Sequence, residues 1–563
     1  MANTMNQAFL ISVDLSIQRE LFKLDPAIPF RASTGYRHHT WARTFHSYPE
    51  LWIQPHSTEE LQKIVTLARR CRRRITLTGC GHSPSDLTCT SSWLVNLDHF
   101  EDILEINGNV VVMQAGIKLH DLGLRLKERG LAMPNLGSID HQSIAGAIGT
   151  ATHGSSIRQG ILSQSVLALK IMLANGRIVS CSAEQNKDLF RAALVSLGAL
   201  GIITEVTFKA VPAFNIEWSQ TLHPLQQILS EWSQDLWTQS EFTRVWWMPY
   251  MKQCIKWRAD KTNEPTRPRP SNFWNGRLGF HTYHVLLYAA QWFPSIVPLL
   301  EQFVMNVQYG FKDGVGSNGV EEGRTGLLMN CLYSQFVNEW AIPLHKGPEA
   351  ITRLSAWLNG DQETARIPFS SKDLYVHAPI EVRVTDTSNT MPRPYLDNTV
   401  PDGPTLYLNA TLYRPYNTDP PCHIRYYEAF EWLMKEMDGR PHWAKNFRNV
   451  TRGEIHAMYP KIDDWVRVRN DVDPQGMFVG AWHRRLLLNP QAEGEKAAMP
   501  LEERKVMSRP APGGGVDWYG EVLGRKLSPQ GSEESFDLMQ EAEAEKSIFI
   551  GKPGFEEDDE DEM

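Results

Sequence analysis

The chain has 563 residues, of which 42% are hydrophobic and 22% are charged, a balance typical of a folded soluble protein. At roughly 150 residues per domain, this length predicts about two to four domains. The net charge is −8, and seven carboxylates lie within the last eight residues, 556–563, so the rest of the chain is close to neutral. This balance argues against a nucleic-acid-binding protein, which would carry a large basic excess.

From about residue 45 to 215 the pattern predicts an α+β domain, in which short β-branched strands alternate with helices and glycine-rich turns. The expected strands are 75–79, 110–116, 167–173, 176–180 and 201–208. The expected helices are 118–130 and 57–71, and the second of these starts with a Ser57–Glu60 capping box. Such a domain is consistent with nucleotide binding.

The regions on either side differ from this domain. Residues 1–44 form an N-terminal extension that we expect to be irregular. Residues 216–490 form an aromatic-rich substrate or cap domain with a long helix at 420–439, and its last part is expected to return to the first domain. The tail, 491–563, is polar and acidic, which predicts disorder.

The cysteines and the N-terminus indicate an intracellular protein. The apolar run 8–13 ends at Asp14, too early for the apolar core of a secretory signal. An odd number of widely spaced cysteines is unlike the disulfide framework of a small secreted protein. The cysteines are Cys71, Cys80, Cys89, Cys181, Cys254, Cys331 and Cys422.

One stretch of the second domain, 278–300, carries no formally charged residue. His281, His284, Pro294 and Pro298 make a membrane-spanning helix costly, whereas the aromatic residues of this stretch are types that favour a membrane interface. The stretch therefore predicts either a buried helical hairpin or a segment lying in the plane of a membrane surface, and spanning is disfavoured.

The first motif that carries chemistry is TGCGHSPSDLTCT at 78–90, directly after a predicted strand. Gly79 and Gly81 allow a sharp turn that brings N–H groups against phosphate oxygens. The motif matches neither G-x-G-x-x-G nor the P-loop, and it contains a histidine, His82. On the residues alone, a structural or surface histidine is the simpler interpretation of His82.

A zinc site is the other local alternative. Its ligands would be Cys71, Cys80, His82 and Cys89. The C-x-H spacing is poor for structural zinc and no C-x-x-C occurs, so we predict no metal site.

Two further glycine-rich segments follow. PNLGSIDHQSIAGAIGTATHGSS at 134–156 places Gly146, Gly149 and Gly154 among small hydroxyl residues, and SLGALGIITEVTF at 196–208 leads into a predicted strand. Loops of this kind can wrap a dinucleotide with main-chain hydrogen bonds, although generic glycine turns produce the same pattern.

Taken together, the three segments resemble the FAD-binding domain of the vanillyl-alcohol-oxidase flavoprotein superfamily. PHWAKNF at 441–447 is similar to the HWAK motif of the sugar-1,4-lactone oxidases. The resemblance covers roughly 36–486 and is nearest to the fungal D-arabinono-1,4-lactone oxidases. It implies an α+β fold of two domains, an FAD-binding domain and a cap or substrate domain, and it implies mitochondrial membrane association.

The resemblance also assigns the cofactor-binding residues. In the family, the histidine of the GHS motif is bonded to the 8α-methyl carbon of the flavin, which makes His82 the expected covalent anchor of FAD. A neutral imidazole is nucleophilic near pH 7, which suits that role. The other residues expected to line FAD are Gly79, Gly81, Ser83, Ser143, Gly146, Thr150, His153, Gly154 and Ile203.

The E-x-R pattern of the family is met by Glu381 and Arg383 in APIEVRVTD, and alternation along a strand puts both side chains on one face. Without the resemblance, a surface ion pair would be the simpler interpretation. The resemblance implies that Glu381 positions or deprotonates the C2 hydroxyl of the substrate. It implies that Arg383 and Lys445 stabilise negative charge on the alkoxide and on the reduced flavin. His442 and Trp443 either shape the pocket or pack.

The implied reaction is the oxidation of an aldono-1,4-lactone at C2. D-Arabinono-1,4-lactone and O2 would give H2O2 and a dehydro-lactone that enolises to D-erythroascorbate. In the family, a small residue beside the flavin C4a favours reaction with oxygen; the residue there is Gly137, which predicts an oxidase. Two alternatives stay open, namely an L-gulono- or L-galactono-1,4-lactone as substrate and a non-catalytic, membrane-associated interaction protein built on the flavin fold.

Overall fold

The computed structural model describes residues 13–267, 277–329, 333–488 and 506–508. The helices in these ranges are α1 Leu15–Leu21, α2 Thr58–Cys71, α3 Leu119–Lys127, α4 Ile144–Gly149, α5 Lys187–Ala193, α6 Leu225–Glu231, α7 Arg277–Trp292, α8 Val297–Tyr309, α9 Gly323–Gly326, α10 Gly347–Leu358, α11 Gln362–Ala365, α12 His423–Glu436, α13 Arg452–Met458, α14 Ile462–Val472 and α15 Ala481–Leu486. The strands are β1 Ala32–Ser33, β2 His38–His39, β3 Phe45–Ser47, β4 Leu51–Ile53, β5 Ile75–Thr78, β6 Trp93–Asn96, β7 Ile103–Asn107, β8 Val110–Gln114, β9 Leu131–Ala132, β10 Val166–Met172, β11 Ile178–Ser182, β12 Ile202–Lys209, β13 Val211–Pro212, β14 Asn215–Pro224, β15 Phe242–Met248, β16 Gln253–Thr262, β17 Gly316–Glu322, β18 Gln335–Pro343, β19 Ile380–Thr385, β20 Thr405–Tyr413, β21 Arg440–Pro441 and β22 Val506–Ser508.

The predicted α+β class is confirmed, and the predicted disorder of the tail lies outside the described residues apart from β22. The first part of the chain forms a four-stranded sheet of order β1-β4-β6-β5, in which β6 runs parallel to β4 and β5. It also forms a five-stranded sheet of order β11-β10-β12-β8-β7, whose pairs are antiparallel. The ends of the predicted strands lie within two residues of the observed ones.

The start of α2 differs in one detail from the sequence prediction. Ser57 accepts a hydrogen bond from the Glu60 N–H at 3.2 Å, as the capping box requires. The Glu60 carboxylate, however, accepts from the His56 N–H at 3.0 Å and pairs with Arg31 at 3.2 Å. The reciprocal half of the box is replaced because Arg31 draws the carboxylate away from the helix end.

The second part of the chain is organised around an eight-stranded antiparallel sheet of order β17-β14-β16-β15-β19-β20-β18-β21. Its central pairs place Glu381 opposite Asn409 and Arg383 opposite Tyr407, while the next pair places Asn409 opposite Glu339. Residues that lie opposite one another on neighbouring strands point to the same face. Glu339, Asn409 and Glu381 therefore form a polar row across three strands.

Both ends of the described chain contact the first domain. α1, within the stretch expected to be irregular, buries Ile17 and Leu21 in the core that also contains α2. After α14, the Ile75 N–H donates to the Met477 carbonyl at 2.8 Å, and the Arg74 guanidinium donates to the Val479 carbonyl at 2.7 Å. Residues 477–479 thus contact the start of β5.

The uncharged stretch 278–300 forms most of a helical hairpin, α7 and α8, joined by a short 3-10 turn at Pro294–Ile296. One side of the hairpin packs on the protein, whereas the other leaves large apolar side chains exposed, including Trp292 (72%), Phe293 (71%) and Leu299 (66%). None of the helices in the described ranges is both long and apolar enough to cross a membrane.

Candidate active site

A cleft of about 1050 Å³, partly open to solvent, runs along the three glycine-rich segments. Eight of the ten residues predicted to bind FAD line it, and these are Gly79, Gly81, His82, Ser83, Ser143, Gly146, Thr150 and Ile203. The other two, His153 and Gly154, are not among its lining residues. The chain turns at Ala151, which has a φ of +62°, and thereby carries both of them away from the cleft.

Close approach between two of the segments explains why the cleft is lined by small residues. A Cβ atom on Gly79 would lie 2.8 Å from the Ser143 hydroxyl, so a side chain there would push the two segments apart. The Ser143 hydroxyl in turn accepts a hydrogen bond from the Gly146 N–H at 3.3 Å at the start of α4. Gly81 has a φ of +67°, a conformation that favours glycine.

Further residues line the cleft but were not among the ten predicted to bind FAD. Ser196 and Gly201 lie in the third glycine-rich segment, so the motif itself could have indicated them. Phe478 and His483 lie near the end of the described range 333–488. The His483 ring pairs with the Leu197 carbonyl at 2.8 Å, and burial lowers the pKa of His483 to about 4. No sequence signal links these two residues to the cleft.

His82 is half-buried at one end of the cleft, where its ring stacks with that of Trp41 at 5.1 Å. Burial, with smaller contributions from His141 and Lys445, lowers the pKa of His82 to about 3. The imidazole is therefore neutral near pH 7, the state in which a histidine can act as a nucleophile. The Asn446 side-chain amide, next to Lys445, donates a hydrogen bond to the Pro84 carbonyl at 2.8 Å, beside the lining residue Ser83. The cleft therefore meets the segment that carries the predicted catalytic Lys445.

Those catalytic residues form one charged cluster with a carboxylate that the sequence did not indicate. Arg383 donates a hydrogen bond from Nη2 to Glu339 and lies 3.4 Å from Glu381 through Nε. The Lys445 ammonium lies 3.8 Å from the other Glu339 oxygen, and His153 Nε2 lies 3.5 Å from Oε1. The predicted pair Glu381–Arg383 is thus observed, and Glu339 joins it to Lys445.

The cluster is buried and strongly ionised. Burial favours the protonated form of Glu339, but Arg383, His153 and Lys445 outweigh it and hold the pKa of Glu339 well below its usual value. Burial also disfavours the Arg383 cation, but Glu339 and Glu381 outweigh it and raise the pKa of Arg383. Glu381 is the more accessible carboxylate, with 13% of its side chain exposed against 0% for Glu339.

Neighbouring side chains complete the cluster. His153 stacks on Tyr407 with ring centres 3.5 Å apart, and burial lowers the pKa of both His153 and His442. The fully buried Arg244 on β15 interacts electrostatically with Glu381 and Arg383.

Gly137 lies beside this cluster. A Cβ atom there would be 3.1 Å from the Thr152 methyl carbon and 3.5 Å from the His153 carbonyl oxygen. The adjacent Ser138 hydroxyl lies 3.4 Å from Arg383 Nη1. Gly137, the residue predicted to govern oxygen access, is therefore adjacent in sequence to a residue that contacts Arg383.

One group of buried side chains has the residue types of a metal site. In the described part of the chain, His153, Glu339 and His442 bring ligand atoms within 4.8 Å of one another. Two cations, Arg383 and Lys445, already flank that carboxylate, which disfavours a metal ion there. The thiols of the zinc alternative, Cys71, Cys80 and Cys89, are free, and burial raises the pKa of each.

Comparison with known proteins agrees with this geometry. Residues 206–486 match the family described as D-arabinono-1,4-lactone oxidase, and residues 49–182 match an FAD-binding domain. A protein of Neurospora crassa is 51% identical over 90% of this chain and 95% of its own length. The D-arabinono-1,4-lactone oxidase of Yarrowia lipolytica is 40% identical over 80% of this chain and 96% of its own.

The chain belongs to the D-arabinono-1,4-lactone oxidase family. Among solved structures, this family member resembles cholesterol oxidase from B. sterolicum, with a TM-score of 0.68, 16% identity, and coverage of 83% of this chain and 98% of the other. At that identity the likeness concerns the fold alone, and it agrees with the two-domain flavoprotein architecture expected from the sequence.

Proposed function

We propose that the protein is an FAD-dependent oxidase of an aldono-1,4-lactone, with D-arabinono-1,4-lactone as substrate. The observation that carries this proposal is that the glycine-lined cleft meets the buried cluster of Glu381, Arg383 and Lys445 where Asn446 bonds to Pro84. The products would be H2O2 and the dehydro-lactone, which enolises to D-erythroascorbate. The names of the curated relatives support the choice of substrate.

The residues present fit FAD. The cleft is lined largely by glycines and small hydroxyl residues, and the Gly79–Ser143 contact keeps its wall free of bulky side chains. When bound, FAD supplies an acceptor for the hydride that leaves C2 of the lactone. Gly79, Gly81, Ser83, Ser143, Gly146, Thr150 and Ile203 would hold it.

A covalent bond between His82 and the flavin 8α-methyl carbon is part of the proposal. The low pKa of His82, about 3 because of burial, leaves the imidazole lone pair available for attack at neutral pH. The new C–N bond would replace one C–H bond of the methyl group and the imidazole N–H bond, and the two hydrogens and two electrons would leave by way of the flavin to O2, as H2O2. We expect the yellow flavin colour to stay with the acid-precipitated protein and to be lost from the precipitate in His82→Ala. His56→Ala, a change of an exposed histidine that lies outside the cleft, is the matched control and should retain covalent flavin. Flavin in the wild-type supernatant would contradict the bond.

The cluster supplies acid–base and electrostatic catalysis in this proposal. Glu381, which accepts a hydrogen bond from the Asn409 amide at 3.3 Å, would take the proton of the C2 hydroxyl. Counted at formal charges, Arg244, Arg383 and Lys445 against Glu339 and Glu381 give the site one excess positive charge, which favours the alkoxide.

A panel of lactones tests the activity. Anaerobic mixing with D-arabinono-, L-gulono- and L-galactono-1,4-lactone should bleach the flavin fastest with the D-arabinono compound, and H2O2 should form once oxygen is admitted. Faster flavin reduction by L-gulono- or L-galactono-1,4-lactone would make that lactone the substrate instead. No reduction by any lactone would favour the non-catalytic alternative.

We further propose that the α7–α8 hairpin contacts a lipid surface, on mitochondria. The exposed side of the hairpin carries Trp292, Phe293, Leu299 and Phe303, and no formal charge lies between 278 and 300. Aromatic and aliphatic side chains of this kind partition into the membrane interface. An uncharged surface needs no anionic lipid.

Sedimentation with phosphatidylcholine vesicles tests this contact. The wild-type protein should sediment with the vesicles, and Trp292→Glu/Phe293→Glu should remain in the supernatant. Phe22→Glu is the matched control, because Phe22 is similarly exposed, at 73%, but lies at the end of α1 in the N-terminal extension. Equal sedimentation of all three proteins would contradict the assignment of the hairpin. Cell fractionation followed by carbonate extraction tests the mitochondrial location and the peripheral attachment.

A further inference from the structure

We infer that Glu339 is a positioning residue of the lactone reaction: its buried carboxylate is the internal counter-charge that holds Arg383 and Lys445 in place and sets the charge of the site. This inference rests on the proposed function, because it concerns the same cluster. Glu339 lies on β18, whereas Glu381 and Arg383 lie on β19 and Lys445 lies after β21.

The contacts of Glu339 support this role. One of its oxygens accepts the Arg383 Nη2 hydrogen bond and lies 3.5 Å from His153, and the other lies 3.8 Å from the Lys445 ammonium. Its side chain is 0% exposed. A carboxylate fully removed from water persists as an anion only where cations and hydrogen-bond donors surround it, so the positions of these four groups depend on one another.

Arg383 is shared between two carboxylates in unequal ways. It gives Nη2 to Glu339 in a direct hydrogen bond, and its Nε lies 3.4 Å from Glu381. Its Nη1 lies 3.4 Å from the Ser138 hydroxyl, next to Gly137. Because Glu339 fixes the guanidinium from the buried side, Glu381 stays exposed enough to meet a substrate hydroxyl. The two carboxylates therefore have different roles: Glu339 holds the cations, and Glu381 contacts the lactone.

The charge of Glu339 has a second consequence. Removal of one negative charge would raise the formal excess of the site from one positive charge to two. A small anion at the site would then bind more tightly, whereas hydride transfer would slow because Arg383 and Lys445 lose their common anchor. Opposite changes in these two quantities are not expected from simple loosening of the fold.

Glu339→Gln, measured as the FAD-loaded enzyme, tests the inference. Gln keeps the size and one acceptor oxygen but loses the charge. We expect the rate of anaerobic flavin reduction by D-arabinono-1,4-lactone to fall about 100-fold. Titration with sulfite, an anion whose addition bleaches bound flavin, should show affinity about tenfold higher than in the wild type.

Glu431→Gln is the matched control. Glu431 on α12 is also 0% exposed, and it accepts hydrogen bonds from the Asn338 amide and the Asn449 N–H, each at 2.7 Å. It neighbours Glu339 through Asn338 but binds neither Arg383 nor Lys445 in the described structure. Its replacement should leave the sulfite affinity and the reduction rate at wild-type values.

Glu339→Asp separates charge from position. Asp keeps the negative charge but is one methylene shorter, so we expect sulfite affinity near that of the wild type together with slow flavin reduction. Wild-type behaviour of Glu339→Gln in both measurements, or an equal shift in Glu431→Gln, would overturn the inference. Fast reduction in Glu339→Asp would overturn the positioning role. A wild type that no lactone reduces would contradict the proposed function instead, and the sulfite titrations would still decide the charge of the site.

Discussion

The cofactor cleft and the charged cluster meet where Asn446 bonds to Pro84, yet they are built in opposite ways. The cleft is lined mainly by glycines, hydroxyls and backbone of three glycine-rich segments, to which Phe478 and His483 are added, and burial keeps its histidines neutral. The cluster consists of oppositely charged side chains from separate parts of the chain, which pair with one another in a largely buried space. The cleft is thus suited to holding a large ligand, and the cluster to charge that develops during a reaction.

Glu381→Gln should have the largest effect of these changes, and it should impair the cluster while leaving the cleft intact. Loss of the base should lower kcat by about 10²- to 10⁴-fold, while the flavin content of the purified protein stays at the wild-type level because the cleft is untouched. Steady-state turnover and the flavin-to-protein absorbance ratio measure the two quantities. A parallel loss of flavin would mean that cluster and cleft are not independent.

Gly79→Ala should weaken FAD binding in the cleft without changing the catalytic function of the cluster. The new Cβ would lie 2.8 Å from the Ser143 hydroxyl, and overpacking of this kind costs about 1–3 kcal/mol. We expect lower flavin occupancy, whereas the molecules that retain flavin should be reduced by lactone at the wild-type rate. Gly453→Ala is the control, because no atom lies within 4 Å of its added Cβ. Unchanged occupancy in Gly79→Ala would show that the cleft wall can relax.

The pH dependence of stability should also distinguish the histidines of the cleft from the carboxylate Glu339 of the cluster. His82 and His483 have folded-state pKa values of about 3 and about 4 because of burial, below the ordinary value of 6.5. Between pH 6.5 and 4 the unfolded chain therefore binds more protons, and stability falls as the pH drops, by about 1.4 kcal/mol per pH unit for each histidine.

Urea unfolding at a series of pH values measures this slope. His483→Asn should make it shallower by the contribution of one proton. Glu339→Gln should leave the slope above pH 5 unchanged, because the pKa of Glu339 is lowered and its carboxylate is ionised in both states there. If Glu339→Gln changed the slope of the unfolding free energy against pH more than His483→Asn does, the expected difference between the two residues would be wrong.

Gly137→Ala should have the smallest effect. Its Cβ would lie 3.1 Å from the Thr152 methyl carbon, a contact that a small shift of Thr152 relieves. We expect reoxidation of the reduced flavin by oxygen to slow several-fold, while anaerobic reduction by lactone stays nearly intact. Stopped-flow absorbance separates the two half-reactions, and equal reoxidation rates in variant and wild type would remove Gly137 from the oxygen path.

The contrast between the regions also explains what could be predicted. A continuous segment contains its own turn, so the cleft residues from Gly79 to Ser83 and from Ser143 to Thr150 followed from motifs. The shared face of Glu381 and Arg383 followed from strand alternation. The family resemblance also implies that His153 and Gly154 line the cofactor, but the turn at Ala151, which the local sequence does not indicate, separates them from the cleft.

Glu339 and Asn409 had no comparable signal. Each lies in a strand of otherwise buried residues, and its role depends on the register that brings β18, β20 and β19 side by side. Strand order and register are set by contacts between distant parts of the chain, so they cannot be read from the local pattern around either residue.

The participation of Phe478 and His483 in the cleft constrains the order of events during synthesis. The segments that carry His82 and Ser143 leave the ribosome first, but the wall opposite them is made hundreds of residues later. Until residues up to 483 have emerged, the growing chain has only an unfinished flavin site. A complete FAD site therefore forms only late in synthesis, and a chain cut short before Phe478 would lack part of the lining that holds the cofactor.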